Sequence, residues 1–390
     1  MMKLFKKIDW LSLLSMLALI AIGTVAIWSA GHARTEIVFH NMWKQNLLTA
    51  GIGLVLYAAL AFSDYRKWID WVAPIIYAVS LVFLVAVLLF GAERFGGRRW
   101  LWFFQPSEVS KICIITLIAS WFGVARPTFF SRRFGVLGFI LAMITIGVPI
   151  LLILAEPDLG TALTLIPAVL VMLLVAGVWR NGLVIITAIC GIGALLLLGA
   201  VYEAERPGIP AERREQILRY IPLKDHQLRR VRVFLFPERD RRGAGYNLQQ
   251  SLIAIGSGGF SGKGIGQSDA SHLKYLPQAI SMNDFIFCVY AEETGFVGAT
   301  ILLALFALLL MGGCRVAFVA NDGRGRLLAL GVTTLIFAHV YINIAMSIGV
   351  VPITGLPLPF VSAGRTFLIV AMCGLGCIQS VSINQEEKVK

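Results

Sequence analysis

The chain has 390 residues, 58% of them hydrophobic and 14% charged, with a formal net charge of +12. A soluble domain carries about 25% charged residues, and here the apolar residues fall in runs of about 18 to 22, the length of a bilayer-spanning helix. Inside lipid the backbone must satisfy its own hydrogen bonds, so these runs are helical and a soluble all-α protein is excluded. The positive balance needs no nucleic-acid partner, because cytoplasmic loops of membrane proteins collect Lys and Arg.

Ten spans are predicted, at approximately 10–29, 45–63, 73–91, 107–124, 134–154, 160–177, 181–202, 284–314, 326–350 and 359–380. The expected architecture is a single all-α integral membrane domain over 1–390 with one large extracytoplasmic loop, 203–283. The first apolar run lacks a small-residue cleavage site and reads as a retained helix. Trp10, Trp28, Trp43, Trp68, Trp71 and Trp121 lie near span ends, where indoles favour the membrane interface. Basic residues set the orientation. With both termini cytoplasmic, the inner segments hold Lys3, Lys6, Lys7, Arg66, Lys67, Arg126, Arg132, Arg133, Arg180, Arg315, Arg324, Arg326, Lys388 and Lys390. The short outer loops hold Arg34, Lys44, Arg94, Arg98 and Arg99. The six cysteines fall in or beside apolar runs without metal-ligand spacing and read as packing residues. Within the large loop, the charged stretch Glu203 to Asp240 suits one or two amphipathic helices, and a glycine-rich run follows from Gly243 to Gly266.

Four unusual segments share the outer side. In the first, Gln105-Pro106-Ser107-Glu108 opens a helix, and Glu108 and Lys111, three apart, share its face. Lys111 lies nearly a turn inside the span, where an ionisable group pairs or serves a function. The second, Glu156-Pro157-Asp158-Leu159-Gly160-Thr161, is a tight turn by ordinary Pro/Gly/Asp chemistry, or a pair of carboxylates that bind a cation or line a polar cavity. The third, Gly256 to Gly264, fails as a P-loop because Ser257 and Gly264 occupy the wrong positions. It remains either a flexible turn or a backbone nest for an anion, with Lys263 adding charge. The fourth pairs Asp284, at the start of the eighth span, with Gly355 to Arg365. Asp284 is either a helix cap or a functional carboxylate, and Glu292 and Glu293 follow in the same span, with Arg365 as a candidate partner. Carboxylates and cations gathered at the outer leaflet favour a substrate that carries an anionic group and approaches from the lipid.

Taken in order, these motifs resemble the SEDS (shape, elongation, division and sporulation) family of RodA/FtsW-type peptidoglycan glycosyltransferases. The resemblance rests on Arg99-Trp100, Gln105 to Glu108 with Lys111, Glu156 to Thr161, Gly245-Tyr246, Gln250 to Gly259, Asp284 to Phe287, Ala291-Glu292-Glu293 with Gly295, and Gly355 to Ser362. Gly262-Lys263-Gly264 and Gly355 to Pro359 lean toward the elongation branch. The resemblance implies polymerisation of lipid II on the outer face of the cytoplasmic (inner) membrane, with undecaprenyl pyrophosphate leaving. It implies Asp284 as general base, and Arg99, Glu108, Lys111, Asp158, Lys263 and Ser362 as a substrate-binding set. It leaves room for a divalent cation, Mg2+ or Mn2+, and implies a class B penicillin-binding protein as transpeptidase partner. A lipid II flippase and a non-catalytic scaffold are the competing expectations. The chain departs from the family at Met282-Asn283, in place of His-Thr, at Gln278, and at Ala363-Gly364-Arg365-Thr366 after Ser362.

Overall fold

The computed structural model describes residues 7–32, 37–94, 97–101, 104–123, 135–156, 158–206, 208–221, 223, 225–240, 243–272 and 276–385. Lys3, Lys6, Arg34, Arg126, Arg132, Arg133, Pro157, Lys388 and Lys390 lie outside these residues. The principal helices are α1 (Trp10–His32), α2 (Met42–Phe62), α3 (Tyr65–Phe90), α4 (Pro106–Phe122), α5 (Gly135–Ala155), α6 (Leu159–Ala176), α7 (Arg180–Glu205), α8 (Ala211–Arg219), α9 (Asp225–Leu235), α10 (Ala244–Ser257), α11 (Ile286–Val319), α12 (Gly323–Ser347) and α13 (Arg365–Ile383). Among the described residues nine helices are long and apolar enough to cross a membrane: α1, α2, α3, α5, α6, α7, α11, α12 and α13. The remaining predicted span is α4, 17 residues long and mostly buried inside the bundle.

The ends moved where local chemistry outweighs hydropathy. Helix α3 begins at Tyr65, well before the predicted start, because Asp64 caps it by accepting from the Arg66 backbone N–H at 3.2 Å. Pro74 is tolerated within it. The last span starts late because residues up to Gly364 stay non-helical, with Phe360 held at φ 64° and nearly fully buried. A short antiparallel hairpin, β1 (Ala92–Arg94) with β2 (Gly97–Trp100), precedes α4 and was not anticipated. Glu203 to Asp240 supplies the end of α7 and the polar helices α8 and α9, joined by pairs of Arg214, Arg232 and Arg239 with Glu205.

Helix α4 packs against α3, α6, α12 and α13, and α12 also packs on α6 and α11. These contacts put α4 and α12 at the centre, while α7 runs along the periphery with little of its apolar surface covered. Polar side chains of α4 and α12 are therefore withdrawn from lipid, the condition under which a membrane bundle retains them.

Candidate active site

Helix α4 starts at Pro106, which sacrifices no backbone hydrogen bond at a first helical position. Its first turn carries Glu108, paired with Lys111 at 2.7 Å. Both are buried, so neither Lys111 nor Glu108 presents its charge to an open surface. Facing them, Asp158 caps α6. One of its oxygens accepts from the Thr161 backbone N–H at 3.2 Å. The other accepts from Thr161 Oγ1 at 2.8 Å, Gln105 Nε2 at 2.7 Å and Ser107 Oγ at 3.2 Å. The Arg99 guanidinium, delivered by β2, lies 4.0 Å from Asp158. Asp158 therefore caps a helix, as the turn chemistry predicts, and also faces Arg99. Glu156, next to this turn, is fully buried with neither carboxylate oxygen hydrogen-bonded. Burial foremost, and then the Asp158 charge, push it up to about 9, with Arg99 opposing.

Asp284 stands two residues before α11. It does not cap that helix: Phe285 occupies the cap position and no side chain caps the end. Its backbone carbonyl accepts from Asn343 Nδ2 of α12 at 2.9 Å, and the same amide nitrogen reaches the Leu356 carbonyl at 2.6 Å. Ser362 Oγ donates to the Asn283 carbonyl at 2.6 Å and accepts from the Leu358 N–H at 2.7 Å. The segment from Gly355 to Ser362 is thus tied to the Asp284 backbone. Gly355, at φ 75°, lies where a Cβ would come 3.4 Å from Asp284 Oδ2. Among the described residues no group hydrogen-bonds the half-buried Asp284 carboxylate. Burial raises it to about 6, while the charges of Arg230 and then Arg99 oppose the rise.

Arg230, on α9, was not anticipated. It donates to the Thr354 carbonyl at 3.3 Å and lies within electrostatic reach of Asp284, Asp158 and Arg99. Nothing in the basic stretch around it distinguishes it in the sequence. Asn343 and His339 were also missed, although two polar residues four apart in an apolar helix are a usable signal.

The remaining candidates fall elsewhere. Lys263 pairs with Glu292 at 2.6 Å and Asp269 at 2.8 Å. Glu292 lies eight residues beyond Asp284, roughly 12 Å along a helix. The anion nest is closed: the N–H groups of Lys263 and Gly264 donate to the carbonyls of Glu292 and Glu293, and that of Gly266 to Ser29 and Glu293. This glycine loop instead docks on a kink in α11 at Gly295, whose φ is 65°. A Cβ on Gly262 would come 2.1 Å from the Glu293 carbonyl oxygen, so only glycine permits the approach. Glu293 is bonded by Ser29. The expected trio of Asp284, Glu292 and Glu293 is therefore split. Ser362 spends its hydroxyl on backbone groups, and Arg365 is exposed at the start of α13 without a carboxylate partner among the described residues.

The fold and site define a polytopic helical membrane protein in which the Asp284 carboxylate, unbonded among the described residues, lies within electrostatic reach of two guanidinium groups. The sequence matches the FtsW/RodA/SpoVE cell cycle protein model over residues 9–387, and the chain belongs to that family. It is 36% identical to the peptidoglycan glycosyltransferase MrdB of Escherichia coli (strain K12), over 97% of this chain and 94% of that protein. A solved chain from a peptidoglycan synthase complex, described as coordinating polymerization and crosslinking, superposes with TM-score 0.72 at 29% identity, covering 96% of this chain and 97% of that one. The rod shape determining protein RodA of Thermus thermophilus gives TM-score 0.64 at 26% identity, covering 97% of this chain and 98% of that one.

Proposed function

We propose that this protein is a peptidoglycan glycosyltransferase that polymerises lipid II, with Asp284 as the general base. The observation that carries the reading is the Asp284 carboxylate, half-buried, free of hydrogen bonds among the described residues, and opposed by Arg230 and Arg99. A positioned carboxylate without a competing donor is available to take a proton. It accepts the hydrogen of the acceptor sugar hydroxyl as that oxygen bonds to the donor anomeric carbon. The bond to undecaprenyl pyrophosphate breaks, and attack from the opposite face inverts the carbon. Negative charge accumulates on the departing pyrophosphate, where Arg99 and Arg230 stabilise it. Asp158, held by four donor groups, keeps Arg99 in place.

Among the described residues no group of three or more His, Cys, Asp or Glu side chains is arranged to hold a metal ion. Among the described residues the donor set does not fit a resident cation. A divalent cation would reach the site on the pyrophosphate oxygens. The chain sits in the cytoplasmic membrane with both termini inside, and a class B penicillin-binding protein is its crosslinking partner. Similarity to a chain from a synthase complex that coordinates polymerization and crosslinking supports that pairing. The test is polymerisation of labelled lipid II by purified protein, alone and with the transpeptidase, beside Asp284→Ala. Polymer from wild type and none from a folded mutant is expected. Equal polymer from both would remove Asp284 from the chemistry. No polymer from folded wild type would turn the reading toward a flippase or scaffold.

A further inference from the structure

Lys111 is 0% exposed, and an ammonium offers three protons and no lone pair. The nitrogen forms an ion pair with Glu108 Oε2 at 2.7 Å and a hydrogen bond with His339 Nε2 at 2.7 Å. The Phe367 ring covers the nitrogen, 4.9 Å from its centroid. Lys111 can only donate, so His339 Nε2 presents a lone pair and the imidazole carries its proton on Nδ1. Nδ1 is buried and reaches no hydrogen-bond partner among the described residues. Phe367 also stacks on the imidazole, with centroids 3.9 Å apart, which holds the ring orientation.

His339 and Asn343 lie four apart on α12 and share a face. Asn343 holds the Asp284 and Leu356 carbonyls. His339 holds Lys111, which holds Glu108. Thr161 Oγ1 lies 3.4 Å from Glu108 and 2.8 Å from Asp158. One face of α12 therefore contacts both halves of the site, the Asp158–Arg99 half through Lys111 and the Asp284 half through Asn343.

We propose that His339 is a positioning residue for glycosyl transfer: its neutral imidazole fixes Lys111 against Glu108 and keeps the Asp158–Arg99 cluster in register with Asp284. The inference rests on the glycosyltransferase reading. His339 is itself fully buried and acts only through Lys111.

The experiment compares wild type, His339→Leu, His339→Gln, Lys111→Met and the double variant His339→Leu/Lys111→Met as full-length protein in detergent. It measures kcat and KM for lipid II polymerisation per folded molecule, and thermal unfolding. His339→Leu removes an acceptor from a buried charge. It is expected to lower kcat on the order of ten- to a hundredfold, with KM within about twofold. His339→Gln, whose amide oxygen can accept from Lys111, recovers most of that loss. On the Lys111→Met background His339→Leu adds little to either kcat or unfolding temperature, because both changes act on one interaction. Should Lys111→Met fail to fold, Glu108→Gln replaces it in the cycle. Wild-type kcat in His339→Leu, a glutamine variant as slow as the leucine one, or additive effects would each overturn the proposal. The unfolding cycle needs no turnover. If wild type makes no polymer, the functional reading falls separately, and absent coupling between positions 339 and 111 overturns the positioning role on its own.

Discussion

Replacing Arg230 by glutamine should move the acid limb of polymerisation to higher pH. Burial carries Asp284 from its ordinary 3.8 up to about 6, against the opposing charges of Arg230 and Arg99. Only the ionised carboxylate can act as base. At pH 5, about a tenth of sites with that value are ionised, whereas an ordinary carboxylate would be more than nine-tenths ionised. Wild type should therefore lose about tenfold in rate between pH 7 and pH 5 if proton abstraction limits it. Arg230 stabilises the carboxylate, so its removal makes Asp284 easier to protonate and raises the limb by about one pH unit. The plateau rate also falls, because Arg230 serves the leaving group; the informative quantity is the limb position normalised to the plateau. The assay is the initial rate of labelled lipid II polymerisation from about pH 4.5 to 8, with circular dichroism confirming the fold at each pH. A wild-type limb near pH 4, or an Arg230→Gln limb that stays put or moves down, would refute the electrostatic account of this site.

Two further changes test the frame around Asp284. Lys111→Met strands a buried Glu108 carboxylate and should cost about 3–5 kcal/mol in unfolding free energy, whereas Lys111→Met with Glu108→Gln should recover much of it; equal loss in single and double variants would argue against the pair. Glu156 has a folded-state value near 9, above that of the unfolded chain, so its contribution to stability is full below about pH 4.5 and is lost as pH rises through 9. Glu156→Gln removes this titration, and its unfolding temperature should fall less than that of wild type between about pH 7 and 9.5.

The membrane bundle was legible from the chain because lipid leaves the backbone one solution for a long apolar run, and ten such runs can be counted without knowing how they pack. Pairs fixed by local spacing were legible too: Glu108 and Lys111 share a helix face, and Asp158 precedes a helix start. The departures came from contacts between distant segments. Lys263 is near a glycine-rich turn in sequence, but the kink at Gly295 brings Glu292 onto it and closes the nest. Ser362 stands in a motif beside Arg365, yet its hydroxyl is committed to Asn283 and Leu358. Arg230 is one of many basic residues in a polar loop, and only the tertiary fold, which hydrogen-bonds it to the Thr354 carbonyl, puts it within electrostatic reach of Asp284 and Asp158. His339 gains its role because α12 packs on α4 and places its imidazole against Lys111. Hydropathy and helical spacing follow from neighbours within a turn of chain, so the sequence determined the spans and the local pairs. The approach of a carboxylate just ahead of one span to guanidinium groups from a hairpin and a polar helix depends on packing across the bundle, and only the tertiary structure decided it.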